Sequence, residues 1–218
     1  MGNIINRKKM LIFDLDGTLW DAGQALADSW GEELVRAAGI DKHFTADDIH
    51  AVMGLPMNEI ADHLLPEVEL PRRHEIFRSC EAYEIEYLNK HGAELFPAVR
   101  ETLDELLDAG YGMSIVSNCQ QGYINAFINS MDMHKYFSDQ EEWGRTKLSK
   151  AENIRLVMDR NDYDEYIYIG DIQKDSDAAH AAGIECINAA FGFGNIEDGI
   201  DTIETFGELP ACLKRIDF

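Results

Sequence analysis

Residues 10–18 read Met10-Leu11-Ile12-Phe13-Asp14-Leu15-Asp16-Gly17-Thr18, an apolar run that ends on two aspartates, a glycine and a threonine. Apolar residues without alternation suit a strand covered on both faces, and a polar end suits the point where such a strand leaves the core. Two later stretches are built the same way. Gly112–Val116 ends in Ser117-Asn118, and Tyr166–Ile169 ends in Gly170-Asp171. Between and after them lie helical patterns at Ala98–Ala109, closed by Gly110, and at Gln121–Ser130, Lys150–Arg160 and Asp175–Ala182, the last stopped by Gly183. Phe137–Glu141 and Ile184–Asn188 read as further strands, and Pro210–Lys214 as a short terminal helix. Strands alternating with helices of this length predict an α/β protein with a parallel sheet covered on both faces.

The segment from about Gly23 to Lys90 does not follow that alternation. Leu26, Trp30 and Leu34 share a helix face, and Gly39 stands where a helix stops. Thr45 and Asp48 form a capping-box pattern, Gly54-Leu55-Pro56 breaks the helix that follows, and Asn58–Leu65 resumes before Pro66. Pro71 opens another helix with Ile76, Phe77, Cys80, Tyr83 and Tyr87 at its apolar positions. This is far too much chain for one crossover, so residues 21–90 are expected to form an inserted α-helical domain. Residues 1–20 and 91–218 would make up the core domain.

The chain has 218 residues, 41 acidic and 19 basic, for a formal net charge of −22 at pH 7. A length of this size buries an ample core, and an apolar share of 45% argues against disorder. No basic patch offsets the acid, so a nucleic-acid partner is not expected. No apolar run approaches the ~20 residues of a bilayer span, and MGNIINRKK lacks the apolar stretch of a signal peptide. Met1-Gly2 resembles a myristoylation start, but Asn6 stands where Ser or Thr is wanted. Cys80, Cys119, Cys186 and Cys212 show no zinc spacing and read as reduced thiols. A cytoplasmic protein without a membrane partner is the expectation.

In an open parallel sheet ligands bind beyond the carboxyl ends of the strands. If the three polar-ended strands are neighbours, Asp14, Asp16, Asp171 and Asp175 converge on one rim with Ser117 and Asn118. Crowded carboxylates repel one another, and a hard cation with oxygen ligands, Mg²⁺, relieves that repulsion. A lysine at the rim could hold a second anion. Lys150 and Lys147 are both candidates, and Lys150 is preferred because it starts an apolar-periodic helix. Carboxylates, magnesium and lysine together suit phosphoryl transfer.

Asp14-Leu15-Asp16-Gly17-Thr18 matches the DxDGT signature of the haloacid dehalogenase superfamily, in its phosphatase branch. Ser117-Asn118, Lys150 and Gly170-Asp171-x-x-x-Asp175 follow in the order of that superfamily's other motifs. The chain most resembles the phosphoglycolate phosphatases and beta-phosphoglucomutases. The resemblance implies a Rossmann-like core, a helical cap at residues 21–90, and Phe96-Pro97 as the segment re-entering the core. It also implies Asp14 as the nucleophile forming an aspartyl-phosphate, and Asp16 as general acid and then base. Ser117, the Asn118 amide and Lys150 would bind phosphate. Asp14, the Asp16 carbonyl and Asp171 would hold Mg²⁺, with Asp175 either a ligand or an orienting carboxylate. Thr18-Leu19-Trp20 would be the hinge into the cap.

The expected activity is Mg²⁺-dependent hydrolysis of a small phosphorylated metabolite resembling phosphoglycolate, a sugar phosphate or a nucleotide. Two alternatives share these motifs: a sugar-phosphate mutase of the beta-phosphoglucomutase type, and a catalytically silent binding relative. Gly54-Leu55-Pro56-Met57 resembles the loop that relatives direct at the substrate. Arg72, Arg73, His74 and Arg78 either help hold the substrate or form a solvated helix face, the commoner outcome for a charge run. Gly192-Phe193-Gly194 is too short for a dinucleotide fingerprint and reads as a loop beside the site.

Overall fold

The structure, a computed structural model, describes residues 7–53, 55 and 57–218. In chain order its elements are β1 (Lys9–Phe13), β2 (Trp20–Asp21), α1 (Gly23–Ala38), α2 (Ala46–His50), α3 (Met57–Leu64), α4 (Leu70–His91) and β3 (Glu94–Leu95). They continue with α5 (Val99–Asp108), β4 (Gly112–Ser117), α6 (Tyr123–Ser130), β5 (Asp139–Glu142), α7 (Trp143–Thr146) and α8 (Lys150–Arg160). The last are β6 (Glu165–Gly170), α9 (Gln173–Ala182), β7 (Glu185–Ala189), β8 (Asp201–Ile203) and α10 (Leu209–Arg215).

Six strands form one parallel sheet in the order β5-β4-β1-β6-β7-β8, while β2 and β3 pair as a separate ribbon. The sheet and its helices make the α/β, Rossmann-like fold expected. β1 lies centrally, with Phe13 in register with Ile115 of β4 and Ile169 of β6. Its lack of alternation has the anticipated cause. Met10 and Ile12 pack on one face with Ile154, Val157 and Ala179, and Phe13 meets Phe137 and Phe206 through its ring. All four residues Met10–Phe13 have no solvent exposure. The register therefore brings the polar ends of β1, β4 and β6 to the same edge of the sheet.

By compactness the chain divides into two units, one comprising the chain up to Trp20, Leu95–Ile124 and Met133–Phe218, the other Asp21–Glu94 with Asn125–Asp132. The second unit is helical. α1 and α4 pack through Trp30 and Phe77, whose rings meet edge-to-face at 5.4 Å. Buried carboxylates are matched there: Trp30 Nε1 donates to Glu84 at 2.5 Å, and Arg36 and Ser79 both donate to Glu33. Thr45 and Asp48 close the expected capping box, and Gly39 ends α1 at φ 66°. Among the described residues no helix is long and apolar enough to cross a membrane.

Two boundaries are corrected and one strand is new. The strand placed at Phe137–Glu141 spans Asp139–Glu142. The terminal strand β8 was not anticipated, since three residues beginning with Asp201 carry no strand pattern. α9 begins at Gln173 rather than at Asp175, which sits in its first turn, three residues after Ile172.

Candidate active site

The carboxyl edge of the sheet collects the charged residues. Asp14 follows β1 directly, its N–H donating to Ile169 O at 2.8 Å. Lys150 is the first residue of α8, which Ser149 and Glu152 hold at its start through a capping box. From there Lys150 Nζ reaches Asp14 Oδ1 at 2.9 Å and Asp175 Oδ1 at 2.5 Å. The other oxygen of Asp175 accepts the N–H groups of Asp171 and Ile172 at 3.2 and 3.3 Å. Asp175 thus tethers the start of α9 to the lysine. Lys147 lies elsewhere: its ammonium sits 4.0 Å from the ring centroid of half-exposed Trp143.

Asp171 is walled in by backbone. Its Oδ2 accepts the N–H of Phe193 at 2.8 Å, and Thr18 Oγ1 donates to its Oδ1 at 3.5 Å. A Cβ on Gly17 would stand 2.2 Å from Asp171 Oδ2, and one on Gly192 would stand 2.3 Å from Gly17 O. Gly17 also has φ 85°, a conformation that favours glycine. The Gly192-Phe193-Gly194 turn therefore belongs to the site.

Asp16 is held by a different set of partners. Trp20 Nε1 and Tyr123 Oη both donate to its Oδ1, each at 2.9 Å. Ser117, at the end of β4, is buried, and Asn118 is exposed. Cys119 follows as a neutral thiol. Burial pushes its pKa well up, and Glu142, Asp16 and Asp14 add to the rise. Tyr168, buried in β6, donates to Val116 O at 2.7 Å and lies 3.5 Å from Asp14 Oδ1.

Carboxylate oxygens of Asp14, Asp171 and Asp175 all lie within 4.8 Å of one another. Three buried acids face one lysine, so negative charge is in excess. Burial pushes the Asp14 carboxyl up to about 6 and the Asp171 carboxyl up to about 8, with the neighbouring aspartates adding to the rise and Lys150 opposing it. Burial works against the Lys150 ammonium, but Asp14 and Asp175 outweigh it and keep the lysine charged. An all-oxygen donor set with surplus charge fits a hard divalent cation.

The residues expected to carry chemistry are therefore divided. Asp14, Lys150, Asp171 and Asp175 come together in direct contact, while the Asp16 side chain is bound to two aromatic residues. Sequence reasoning missed Trp20 as a partner of Asp16, missed Tyr123 and Tyr168 altogether, and missed the bond from Phe193 to Asp171. Of these, only Phe193 lay in a stretch marked as adjoining the site. In the helical unit, Arg73 and His74 both pair with Asp62, at 2.6 and 2.9 Å, and Arg73 also donates to Pro66 O and Val68 O. Those two members of the basic cluster fasten α3 to α4, while Arg72 and Arg78 are exposed. In the loop thought to face substrate, Gly54 and Pro56 lie outside the described residues.

A family model for haloacid dehalogenase-like hydrolases matches residues 11–189, and the chain belongs to that family. Among its relatives is a phosphoglycolate phosphatase of Photorhabdus laumondii, 26% identical over 196 residues that cover 85% of this chain and 81% of the relative. Another, from Vibrio parahaemolyticus, is 26% identical over 203 residues, covering 87% and 86%. The phosphatase class expected from the motifs is thus the class of these relatives. Among solved structures, a predicted phosphoglycolate phosphatase of Haemophilus somnus superposes with a TM-score of 0.78 at 21% identity, over 95% of this chain and 99% of that one. CbbY from Rhodobacter sphaeroides in complex with phosphate gives 0.75 at 16% identity, over 93% and 96%.

Proposed function

We propose that this chain is a Mg²⁺-dependent phosphatase that hydrolyses a small phosphomonoester through an aspartyl-phosphate on Asp14. The supporting observation is Lys150, buried and charged, bridging Asp14 and Asp175 beside Asp171. Asp14, the Asp16 carbonyl and Asp171 would hold the cation, with Asp175 orienting Lys150 and the Asp171 backbone. When bound, the cation neutralises charge on the phosphoryl group and on the acids around it.

The residues of the chain do the rest. Asp14 attacks phosphorus, splitting one difficult hydrolysis into two displacements. Asp16 gives a proton to the leaving oxygen and then takes one from water. Ser117, the Asn118 amide and Lys150 hold the phosphoryl oxygens as charge builds on them. Residues 21–90 act as the cap that selects the substrate and excludes bulk water. The substrate class is small phosphorylated metabolites of the phosphoglycolate, sugar-phosphate or nucleotide kind, met in the cytoplasm. Family membership and the phosphoglycolate phosphatase names of the relatives support this reading.

The test is phosphate release from a panel of metabolite phosphates, with Mg²⁺ or with EDTA, and with Asp14→Asn as the blank. Turnover that needs Mg²⁺ and vanishes in Asp14→Asn is expected. Phosphate release by Asp14→Asn at the wild-type rate would exclude the mechanism.

A further inference from the structure

Two donors converge on a single oxygen of Asp16: Trp20 Nε1 and Tyr123 Oη, each 2.9 Å from Oδ1. A carboxylate oxygen offers two lone pairs, so these donors use both. The donors also hold each other, because their rings meet edge-to-face at 5.7 Å and 79°. Trp20 has no exposure and Tyr123 only 3%, so water is kept from the pair.

The two halves of this clamp are anchored separately. Trp20 belongs to the loop that carries Asp16, with Gly17 N–H donating to Trp20 O at 3.1 Å and Trp20 N–H to Leu15 O at 3.3 Å. Tyr123 opens α6, and buried Glu142 grips that opening. Its two oxygens accept the N–H groups of Gly122 at 2.7 Å and Ile124 at 3.5 Å. The Tyr123 hydroxyl is therefore delivered from a separate strand–helix junction of the core.

We propose that Trp20 and Tyr123 are positioning residues for proton transfer by Asp16, a role that rests on the acid–base reading above. With two donors fixed on Oδ1, the carboxyl plane is set, and the proton transfer is assigned to Oδ2. In the first displacement an Asp14 oxygen bonds to phosphorus and the ester P–O bond breaks. The electron pair leaves with the ester oxygen, which takes the proton from Asp16 Oδ2. In the second, Oδ2 takes a proton from water as the water oxygen bonds to phosphorus, and the P–O bond to Asp14 breaks. A clamp that merely fastened the loop would affect every substrate alike. A clamp that aims the acid matters most where the leaving group needs a proton.

The experiment compares kcat/KM of full-length wild type, Tyr123→Phe and Trp20→Phe with Mg²⁺ on two substrates, β-glycerol phosphate and p-nitrophenyl phosphate. The alkoxide of the first must be protonated, whereas nitrophenolate leaves without help. kcat/KM reports only steps up to phosphorylation of Asp14, so the later water step does not blur the comparison. Tyr123→Phe keeps the ring and its contact with Trp20. It is expected to lower kcat/KM about tenfold or more for the alkyl ester and no more than about threefold for the aryl ester. Trp20→Phe should show the same selectivity. Equal losses on both esters would assign the pair a structural role, and no loss on either would dismiss it; both results overturn the proposal. Wild type that releases phosphate from neither ester would instead remove the phosphatase reading, and the clamp with it. An active wild type with a dead Asp14→Asn and an unselective Tyr123→Phe removes the clamp alone.

Discussion

Gly192 and Asp171 are packed so closely that a Cβ on the glycine would stand 2.3 Å from the Cβ of the aspartate. The contact holds the Phe193 N–H against Asp171 Oδ2. It leaves no room for a side chain, because the other neighbour at 2.3 Å is the carbonyl of Gly17, which is backbone and cannot swing aside. Gly192→Ala should therefore push the turn off Asp171. Mg²⁺ affinity by calorimetry is expected to fall about tenfold, with a stability loss of about 1–3 kcal/mol in urea melts. Unchanged Mg²⁺ affinity would mean that the turn does not hold the carboxylate in place.

Lys150 and Lys147 should separate cleanly. Lys150 is buried between two acids, so Lys150→Ala leaves those charges without compensation. A loss of about 3–5 kcal/mol of stability is expected, together with a fall in phosphate release of about a hundredfold or more. Lys147→Ala removes only a surface contact with Trp143 and should keep turnover within about twofold of wild type. Equal losses in the two variants, read by phosphate release, would refute the assignment.

The protein freed of metal by a chelator should lose stability as pH rises. Asp14 and Asp171 have folded-state pKa values raised to about 6 and about 8 from an ordinary 3.8, so between these values the folded chain binds more protons than the unfolded one. Their contribution is fully present below the unfolded pKa and is lost as pH climbs through 6 and then 8. Acids whose pKa is lowered, such as Asp62 and Asp104, act at lower pH and leave this window undisturbed. Melting temperature in EDTA should thus fall from pH 5 to pH 8, and Mg²⁺ should flatten that slope. A chelated protein that melts higher at pH 8 than at pH 5 would contradict the electrostatics of the site.

The net charge of −22 opposes the approach of a phosphate ester, and Lys150 is the positive side chain of the site that offsets it locally. Raising NaCl from about 20 to about 150 mM at saturating Mg²⁺ shortens the reach of that repulsion to ~8 Å. kcat/KM should rise over this range. A steady decline in initial-rate assays would show that the local field around Lys150 dominates encounter.

What could be read in advance was whatever repeats or punctuates. α8 begins and ends where its apolar period places it, and that register puts Lys150 at the site. Asp14 follows from an apolar run that stops. Trp20 and Tyr123 were illegible in these terms. The hydrogen bond from Tyr123 spans 107 residues, and nothing local to either end marks it. Asp175 was misjudged by position because α9 starts on Gln173 and Lys174, which carry no capping signal. Its carboxylate reaches back to the N–H groups of Asp171 and Ile172, tying the turn to Lys150.

The central place of β1 carries a consequence for biosynthesis. Its neighbours in the sheet start at Gly112 and Glu165, so on the ribosome a strand that is apolar from Met10 to Phe13 waits for partners encoded far downstream. At ordinary elongation rates that wait lasts on the order of ten seconds. Met10–Phe13 is then the segment most exposed to mispairing or to capture by a chaperone. Ribosome-bound chains truncated before residue 112 should crosslink to a chaperone through a probe at Ile12. Chains released at full length should not.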